Sequence, residues 1–554
     1  MTKISKLTLP SLFYNSVKEF SDKTSLVFAG EENYTYGQLG KDVELVAEML
    51  LDIGVRKGDK VAILGTNMPN WGKTFFAISL VGAIAVPILP DFHTREIQTI
   101  IEHSEAKVLF VSKGLYNQIG DETVELLQKI IMIENFAIIQ KYTPSSHLEL
   151  LSTSIPLCVK KFKKEEVDEQ DLASIIYTSG TTGNSKGVML SHKNLVWTAQ
   201  QCNTLQKVVP EDRFLSVLPL SHTLENTVGF LLPFMFGASI HYLRKPPVAS
   251  VLMPAFEKVR PTIMLSVPLI IEKVYKAKIL PTFQKNAIMR FLSNFAPTRK
   301  VLHKVAAKKL YESFGGKLHF FGIGGAKLDS AVERFLFEGG FPYAIGYGLT
   351  ETAPLLAGAV AKNRTIGSTG IVMEGVQVRI ADADPKTGEG EIQAKGANVM
   401  QGYYKAPELT RDVFTEDGWF KTGDRGMFDK KNRLHIKGRI KTMIVGASGE
   451  NIYPEEIESV INKMRFVLES LVVEKKGKLV AMIHLNMEEI EENFKYLKEE
   501  AKQFVSAKAD EILLEIQKKV NLEVNKFSKI SQVVLHPSPF ERTPTKKIKR
   551  FLYA

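Results

Sequence analysis

Residues 174–187 read SIIYTSGTTGNSKG, and this stretch decides the fold. Its first five residues are rich in β-branched and aromatic side chains, which predicts a strand over 174–178. The strand runs into a loop with three glycines, Gly180, Gly183 and Gly187. Three hydroxyls, Ser179, Thr181 and Thr182, and one ammonium, Lys186, accompany them. Glycine lets backbone N–H groups approach a ligand closely, and the hydroxyls and Lys186 add donors, so the loop suits phosphate oxygens. It is not a P-loop, which would need Gly in place of Ser185 and Ser or Thr in place of Gly187. A loop without phosphate contact is the plain alternative, and the order of its residues argues against it.

Outward from this loop, strand-like and helix-like stretches alternate. Residues 61–64, 85–88 and 108–111 read as strands and 71–81 as a helix, which predicts α/β layers with largely parallel sheets. A chain of 554 residues exceeds what one hydrophobic core usually supports. Near residue 440 the dense Gly-rich turns give way to amphipathic helices and short strands. There Ile490, Phe494, Leu497, Ala501 and Phe504 fall at helical spacing, as one face of a core-packing helix. The expected fold class is α/β: a large N-terminal domain of layered α/β subdomains over 1–438, and a small mobile α+β C-terminal domain over 439–554. No internal repeat or low-complexity segment is visible.

Composition narrows the class. With 44% hydrophobic and 24% charged residues the chain has the makeup of a globular protein, not one dominated by disorder. Its formal charge of +11 suits a polyanionic ligand such as a nucleotide, or an anionic membrane surface; a balance without functional meaning carries equal weight. Two cysteines, Cys158 and Cys202, exclude a disulfide scaffold and point to a reducing compartment. The N-terminus shows no apolar run with a cleavage site, so no signal peptide is read. The charge-free stretch 74–90 is broken by Gly82 and Pro87 and falls short of the roughly 20 apolar residues of a spanning helix. The expected location is cytoplasmic.

Ser179 to Gly183 with Lys186 and Gly187, entered through Thr178, resembles the phosphate loop of the AMP-forming adenylating superfamily. That superfamily holds acyl-CoA synthetases, peptide-synthetase adenylation domains and luciferases. Further signatures follow in order. LPLSH at 218–222 is similar to the segment whose final residue, here His222, lines the acyl pocket. GIGGA at 322–326 resembles the turn that sets Gly324, Gly325 and Ala326 against the adenine. YGLTE at 347–351 matches the second nucleotide signature: Tyr347 as a ring for adenine, Gly348 in the turn, Thr350 as a donor to the α-phosphate and Glu351 as a hard oxygen for Mg²⁺. Read alone, Thr350 and Glu351 would be an ordinary helix cap. Asp424, in TGD at 422–424, resembles the carboxylate that accepts from both ribose hydroxyls. GRIK at 438–441 matches the hinge, with Arg439 on the ribose or phosphate and Lys441 as pivot. TPTKK at 543–547 resembles the segment of the catalytic lysine, which by register is Lys547; the family usually has Gly where Lys546 stands. The resemblance covers essentially the whole chain, from YTYGQL at 34–39 to Lys547.

The resemblance implies two steps and three small molecules: ATP, Mg²⁺ and coenzyme A. A carboxylate oxygen attacks the α-phosphorus of ATP, pyrophosphate leaves, and an acyl-adenylate remains; Mg²⁺ on Glu351, Lys186 and Lys547 stabilise the charge. The C-terminal domain then turns about Lys441 and brings the region of Gly446 and Gly449 to the thiol, which attacks the carbonyl and releases AMP. Segments 219–225, 261–268, 272–275 and 449–458 look most like long-chain fatty acyl-CoA synthetases, although Asn226 stands where those often carry Arg. Apolar walls suit a fatty chain at ~0.8 kcal/mol per buried CH₂, and an ordinary core has equal claim to such residues. No Asp is placed to bind an α-amino group. The expected partners are a fatty acid, ATP and coenzyme A, no nucleic acid, and at most a peripheral membrane contact. An acyl carrier protein is the alternative acceptor. A nucleotide-binding regulatory protein without catalysis is the reading from another class, and the retention of Thr350, Glu351, Asp424, Arg439 and Lys547 argues against it.

Overall fold

Strand Ile84–Ile88 (IAVPI) is buried at all five positions, as befits a strand covered on both faces. It lies parallel to Lys60–Leu64, which pairs on its other edge with Ala106–Val111, and that strand in turn with Lys129–Met132. The computed structural model describes residues 4, 6–31, 33–139, 165–178, 185–360, 363–445, 451–475, 477–494, 501–524, 526–543 and 547–553. Leu172–Thr178 joins the other side of Ile84–Ile88 and carries the antiparallel strands Lys186–Ser191 and Gly402–Tyr403, which with Ile138–Ile139 completes an eight-stranded sheet. Helix Pro69–Leu80 is the crossover between two of its parallel strands. Proline opens it where a backbone N–H has no helical acceptor anyway.

A second eight-stranded sheet begins with parallel strands: Leu26–Phe28, Ser239–Tyr242, Arg213–Leu215, Ile263–Ser266, Phe320–Ile323 and Tyr343–Tyr347. It ends in the antiparallel Ala357–Gly358 and Ile371–Val372. Helices between the two sheets share one apolar cluster with both. Trp71, Phe75 and Phe76 of the crossover helix meet Phe230 and Phe234 edge-on or tilted, at centroid distances of 4.6–6.2 Å. A third sheet, of Gln377–Ala381, Gly390–Lys395, Phe420–Phe428 and Leu434–Arg439, is wholly antiparallel. The expectation of largely parallel sheets thus holds for two of the three.

Beyond it, Val467–Lys475, Lys478–Leu485 and Gln532–Leu535 form a three-stranded sheet, packed by Pro454–Ile461 and Ala501–Glu523 around an apolar cluster of its own. Its first two strands run nine and eight residues, longer than the short strands expected there. The spacing at 490–504 does not mark one helix: Ile490 is buried in Met487–Phe494, Ala501 opens a separate helix, and Leu497 lies outside the described residues. A repeat of apolar residues runs across a break that periodicity alone does not register.

Candidate active site

Thr178 stands opposite Lys186 in an antiparallel pair, so the glycine-rich loop joins strand to strand instead of strand to helix. Ser179, Gly180, Thr181, Thr182 and Gly183 lie outside the described residues. Lys186 sits over the Tyr403 ring, 5.0 Å from its centroid, because Gly402–Tyr403 pairs with the strand that Lys186 begins. The Tyr403 hydroxyl donates to Glu351 Oε1 at 2.9 Å. Burial, then the Glu351 carboxylate, pushes the phenol upward and keeps it a donor. A chain of contacts from Lys186 through Tyr403 therefore ties the base of the loop to the second signature.

That signature leaves strand Tyr343–Tyr347 and turns at once. A Cβ on Gly348 would lie 1.7 Å from the Pro354 carbonyl oxygen, so only glycine permits the turn. Thr350–Thr352 forms a single 3₁₀ turn. The buried Asn398 amide donates to the carbonyls of Thr352 and Leu355, at 3.2 and 2.8 Å, and the Met400 N–H donates to that of Glu351 at 2.9 Å. Main chain and carboxylate of Glu351 are both held.

Asp424 and Arg439 face each other in register on neighbouring strands, and the Arg439 Nε lies 2.7 Å from Asp424 Oδ1. The Tyr347 hydroxyl donates to Oδ2 at 2.8 Å. Burial raises the Asp424 pKa, while Arg439, Tyr347 and Lys547 pull it back. Each carboxylate oxygen keeps a second lone pair, so two further donors, such as a vicinal diol, fit. Glu351 likewise fits Mg²⁺, which is ordinarily held by one or two carboxylates and completed by phosphate oxygens and water. Among the described residues no cluster of three or more acidic, His or Cys side chains forms a self-sufficient metal cage.

Lys547 reaches the same place from the far end of the chain. Its backbone is closed against Thr543, whose N–H donates to the Lys547 carbonyl at 2.7 Å, and Arg550 anchors the segment on Glu458 at 2.5 Å. Lys547 is exposed as a residue, yet protein surrounds its ammonium. Desolvation and Arg439 lower its pKa, while the carboxylates of Asp424 and Glu351 oppose that. Its neighbour Lys546 lies outside the described residues, as do Gly446 and Gly449. Lys441 is exposed in the turn Ile440–Thr442, which Thr442 fastens to Glu455 at 2.9 Å.

On the opposite flank, Asn67 grips the strand leading to His222: its amide donates to Ser216 Oγ and the Leu218 carbonyl, and its oxygen accepts from Leu220 N–H. His222 Nδ1 accepts from Leu224 N–H at 3.2 Å. Burial, with Lys547 nearby, drives its pKa down to about 4, so the ring is neutral at pH 7. Gly324 is buried against Leu224, with Gly325 and Ala326 exposed beside it. Next to His222, a π-helical turn, Glu225–Leu231, buries Glu225 and Asn226. Ser216 donates to Glu225 Oε1 at 2.5 Å, and Gly229 leaves the carboxyl its space: a Cβ there would fall 2.6–2.8 Å from it. Burial pushes Glu225 up to about 8, so it is neutral at pH 7. Among the described residues, Glu225 Oε2, both amide atoms of Asn226 and the Tyr242 hydroxyl have no hydrogen-bond partner.

Tyr403, Asn398 and Glu225 escaped the sequence reading. Glu225 stands only as the last residue of the segment 219–225, and neither its contact nor that of Tyr403 has a local sequence signal.

The chain is 29% identical over 513 residues to the long-chain-fatty-acid–CoA ligase heimdall of Drosophila melanogaster, covering 82% of this chain and 72% of that protein. It is 28% identical to a chloroplastic long-chain-fatty-acid–[acyl-carrier-protein] ligase of Arabidopsis thaliana, over 87% and 76%. In fold it superposes on the o-succinylbenzoate coenzyme A synthetase of Bacillus subtilis, solved with ATP and magnesium ion. The TM-score is 0.74, with 22% identity and 98% of each chain covered. Residues 13–404 match the family of AMP-binding enzymes. That match runs from the first helix through the glycine-rich stretch to the strand that sets Tyr403 beneath Lys186, and the chain belongs to the AMP-binding enzyme family.

Proposed function

We propose that the protein is an AMP-forming ligase that activates a fatty acid as its acyl-adenylate and transfers the acyl group to coenzyme A. The observation that carries this reading is the meeting of Lys547 with Asp424, Glu351 and Arg439, residues of four separate segments around one point. Asp424 accepts from the ribose hydroxyls and Tyr347 flanks the adenine. Thr350, the loop at 178–183 and Lys186 donate to the phosphates. Lys547 places its ammonium where negative charge grows as pyrophosphate leaves. Mg²⁺ held by Glu351 would supply charge neutralisation on the phosphate oxygens. His222, neutral, lines the acyl side without adding charge. Division of the chain at 438/439 and rotation about Lys441, withdrawing Lys547 before thiol attack, belong to the same proposal.

Fatty acid as substrate rests on the names of the relatives and on the apolar wall segments. It is tested by pyrophosphate release with acids of rising length, coenzyme A present. Activity is expected to rise from acetate toward acids of about ten carbons or more, as each methylene adds ~0.8 kcal/mol of burial. Equal or better turnover of acetate or aryl acids overturns the fatty-acid reading and leaves the adenylation chemistry standing. The Arabidopsis relative favours a second reading, a carrier-protein thiol as acceptor, which holo-acyl carrier protein in place of coenzyme A decides. Peripheral contact with a membrane, the reservoir of a poorly soluble acid, completes the proposal.

A further inference from the structure

Between Glu272 and Glu312 the chain carries ten Lys or Arg and no Asp or Glu, while the whole protein has a net charge of +11. Almost all of the excess positive charge is therefore concentrated in one segment, and the remainder of the protein is near neutral. From the end of helix Pro268–Val274 the segment passes through the π-helical turn Tyr275–Ile279 into three consecutive helices, Leu280–Gln284, Ala287–Asn294 and Ala296–Ser313. Phe283, Ala307 and Leu310 pack it on the core behind the second sheet. Among the described residues Arg299 is its one Lys or Arg in an ion pair, with Glu338 at 2.9 Å.

The other face is open. Ala287–Asn294 has no buried residue. Ile288 is 70% exposed and Phe291 72%, one turn apart on that helix; Phe295, in extended backbone between it and the next helix, is 57% exposed, and Val301 and Val305 on that next helix are 61% and 55% exposed. Lys285, Arg290, Lys300, Lys304 and Lys308 are exposed among them. Large apolar side chains standing in water beside unpaired cations are what a helix lying in a bilayer interface presents. A second copy of the chain would oppose two faces of the same charge. An acidic protein would satisfy the lysines but leave no reason for a protruding apolar row.

We propose that this face docks on an anionic lipid bilayer. Ile288, Phe291 and Phe295 enter the headgroup–acyl boundary, and Lys285, Arg290, Lys300, Lys304 and Lys308 hold lipid phosphates. The segment continues from helix Pro268–Val274, which starts just after Val267, the side chain beside Gly325, so the docked face lies on the chain that leads away from the candidate site. The use of such docking, drawing a fatty acid from the lipid phase, rests on the function proposed above; the docking itself is measured without turnover.

The test is co-sedimentation of the full chain with vesicles of phosphatidylcholine alone and of phosphatidylcholine mixed with phosphatidylglycerol, at low and high salt. Binding is expected to favour the anionic vesicles by about tenfold or more and to weaken with salt. I288S/F291S/F295S and K300E/K304E/K308E should each lower it by about tenfold or more. The single variant F291S should lower it less, and all three should keep ATP–pyrophosphate exchange with a soluble acid, which shows that they fold. Equal binding to both vesicle types, no binding, or variants that sediment like the parent overturn the proposal. So does loss of holo-acyl carrier protein binding in the variants while vesicle binding persists, which would assign the face to a protein. Failure of exchange with every acid in the parent chain would instead strike the proposed function, leaving vesicle binding as found.

Discussion

The two flanks of the site treat buried polar groups in opposite ways. Around Asp424 both carboxylate oxygens are engaged, one by Arg439 and one by Tyr347, and a second cation, Lys547, stands close enough to favour the charged form. Around Glu225, among the described residues, no cation answers the carboxyl, one oxygen has no donor, and the adjoining Asn226 amide is unpartnered on both atoms. Burial without a counter-charge raises a carboxyl pKa, and burial beside a cation restrains the rise. On the roles proposed above, the nucleotide flank is thus suited to stay charged against a charged ligand, and the acyl flank to stay neutral beside an apolar one.

The largest effect should come from the residue that joins the charged flank from outside. In the first half-reaction negative charge builds on the α-phosphate and the leaving pyrophosphate; in the second the adenylate already exists and this charge has gone. Lys547→Ala is expected to lower ATP–pyrophosphate exchange by about 10²–10³-fold, the usual effect of losing one such donor. Given presynthesised acyl-adenylate and coenzyme A, it should still form thioester at a substantial rate. Lys546→Gly should change neither. Equal failure of Lys547→Ala in both half-reactions, or an exchange defect that follows Lys546→Gly, would refute the assignment.

Glu351→Gln probes the same flank with a smaller change. The amide oxygen still accepts from Tyr403, so the link to Lys186 survives, and only the anionic ligand is lost. Exchange should fall by roughly tenfold to a hundredfold, with a flattened response to added Mg²⁺. Parent-like kinetics across a magnesium titration would detach the metal from Glu351.

What was legible in the sequence follows the same division. On the roles proposed for them, Asp424, Arg439, Thr350 and Glu351 stand in short motifs because the ribose, the phosphates and their counter-ion have fixed chemistry, and a hairpin brings Asp424 and Arg439 opposite each other by local register. Strands such as Ile84–Ile88 were legible because burial on both faces demands an unbroken apolar run. Tyr403 reaches Glu351 across 52 residues only because one strand edges the first sheet while Asn398 and Met400 bind the turn of the second signature. No local pattern encodes that. The neutrality of Glu225 depends on Ser216, on the room left by Gly229 and on the absence of a cation, all tertiary facts. At 490–504 the periodicity was real, but two helices share it.

The smallest effect, and the sharpest on the comparison, belongs to Glu225→Gln. Glutamine keeps the acceptor for Ser216 and is neutral at every pH, as the buried carboxyl is at pH 7. In the folded protein the Glu225 pKa is raised from 4.5 to about 8. Between those values the unfolded chain has released the proton that the folded chain retains, so unfolding releases a proton and rising pH favours it. The stability that the neutral carboxyl contributes is fully present below about pH 4.5, declines as pH rises, and is gone above about 8. Parent and variant should therefore match most closely near pH 5. The variant should gain relative to the parent by at most about 1.4 kcal/mol per pH unit up to about 8, and no further above it. Urea unfolding of both proteins at a series of pH values reads this difference directly. A difference that stays constant from acid to alkaline pH would mean that Glu225 is not held neutral. One that runs the other way would mean that the carboxylate is ionised in the fold and has found a cation, and the two flanks would then be alike after all.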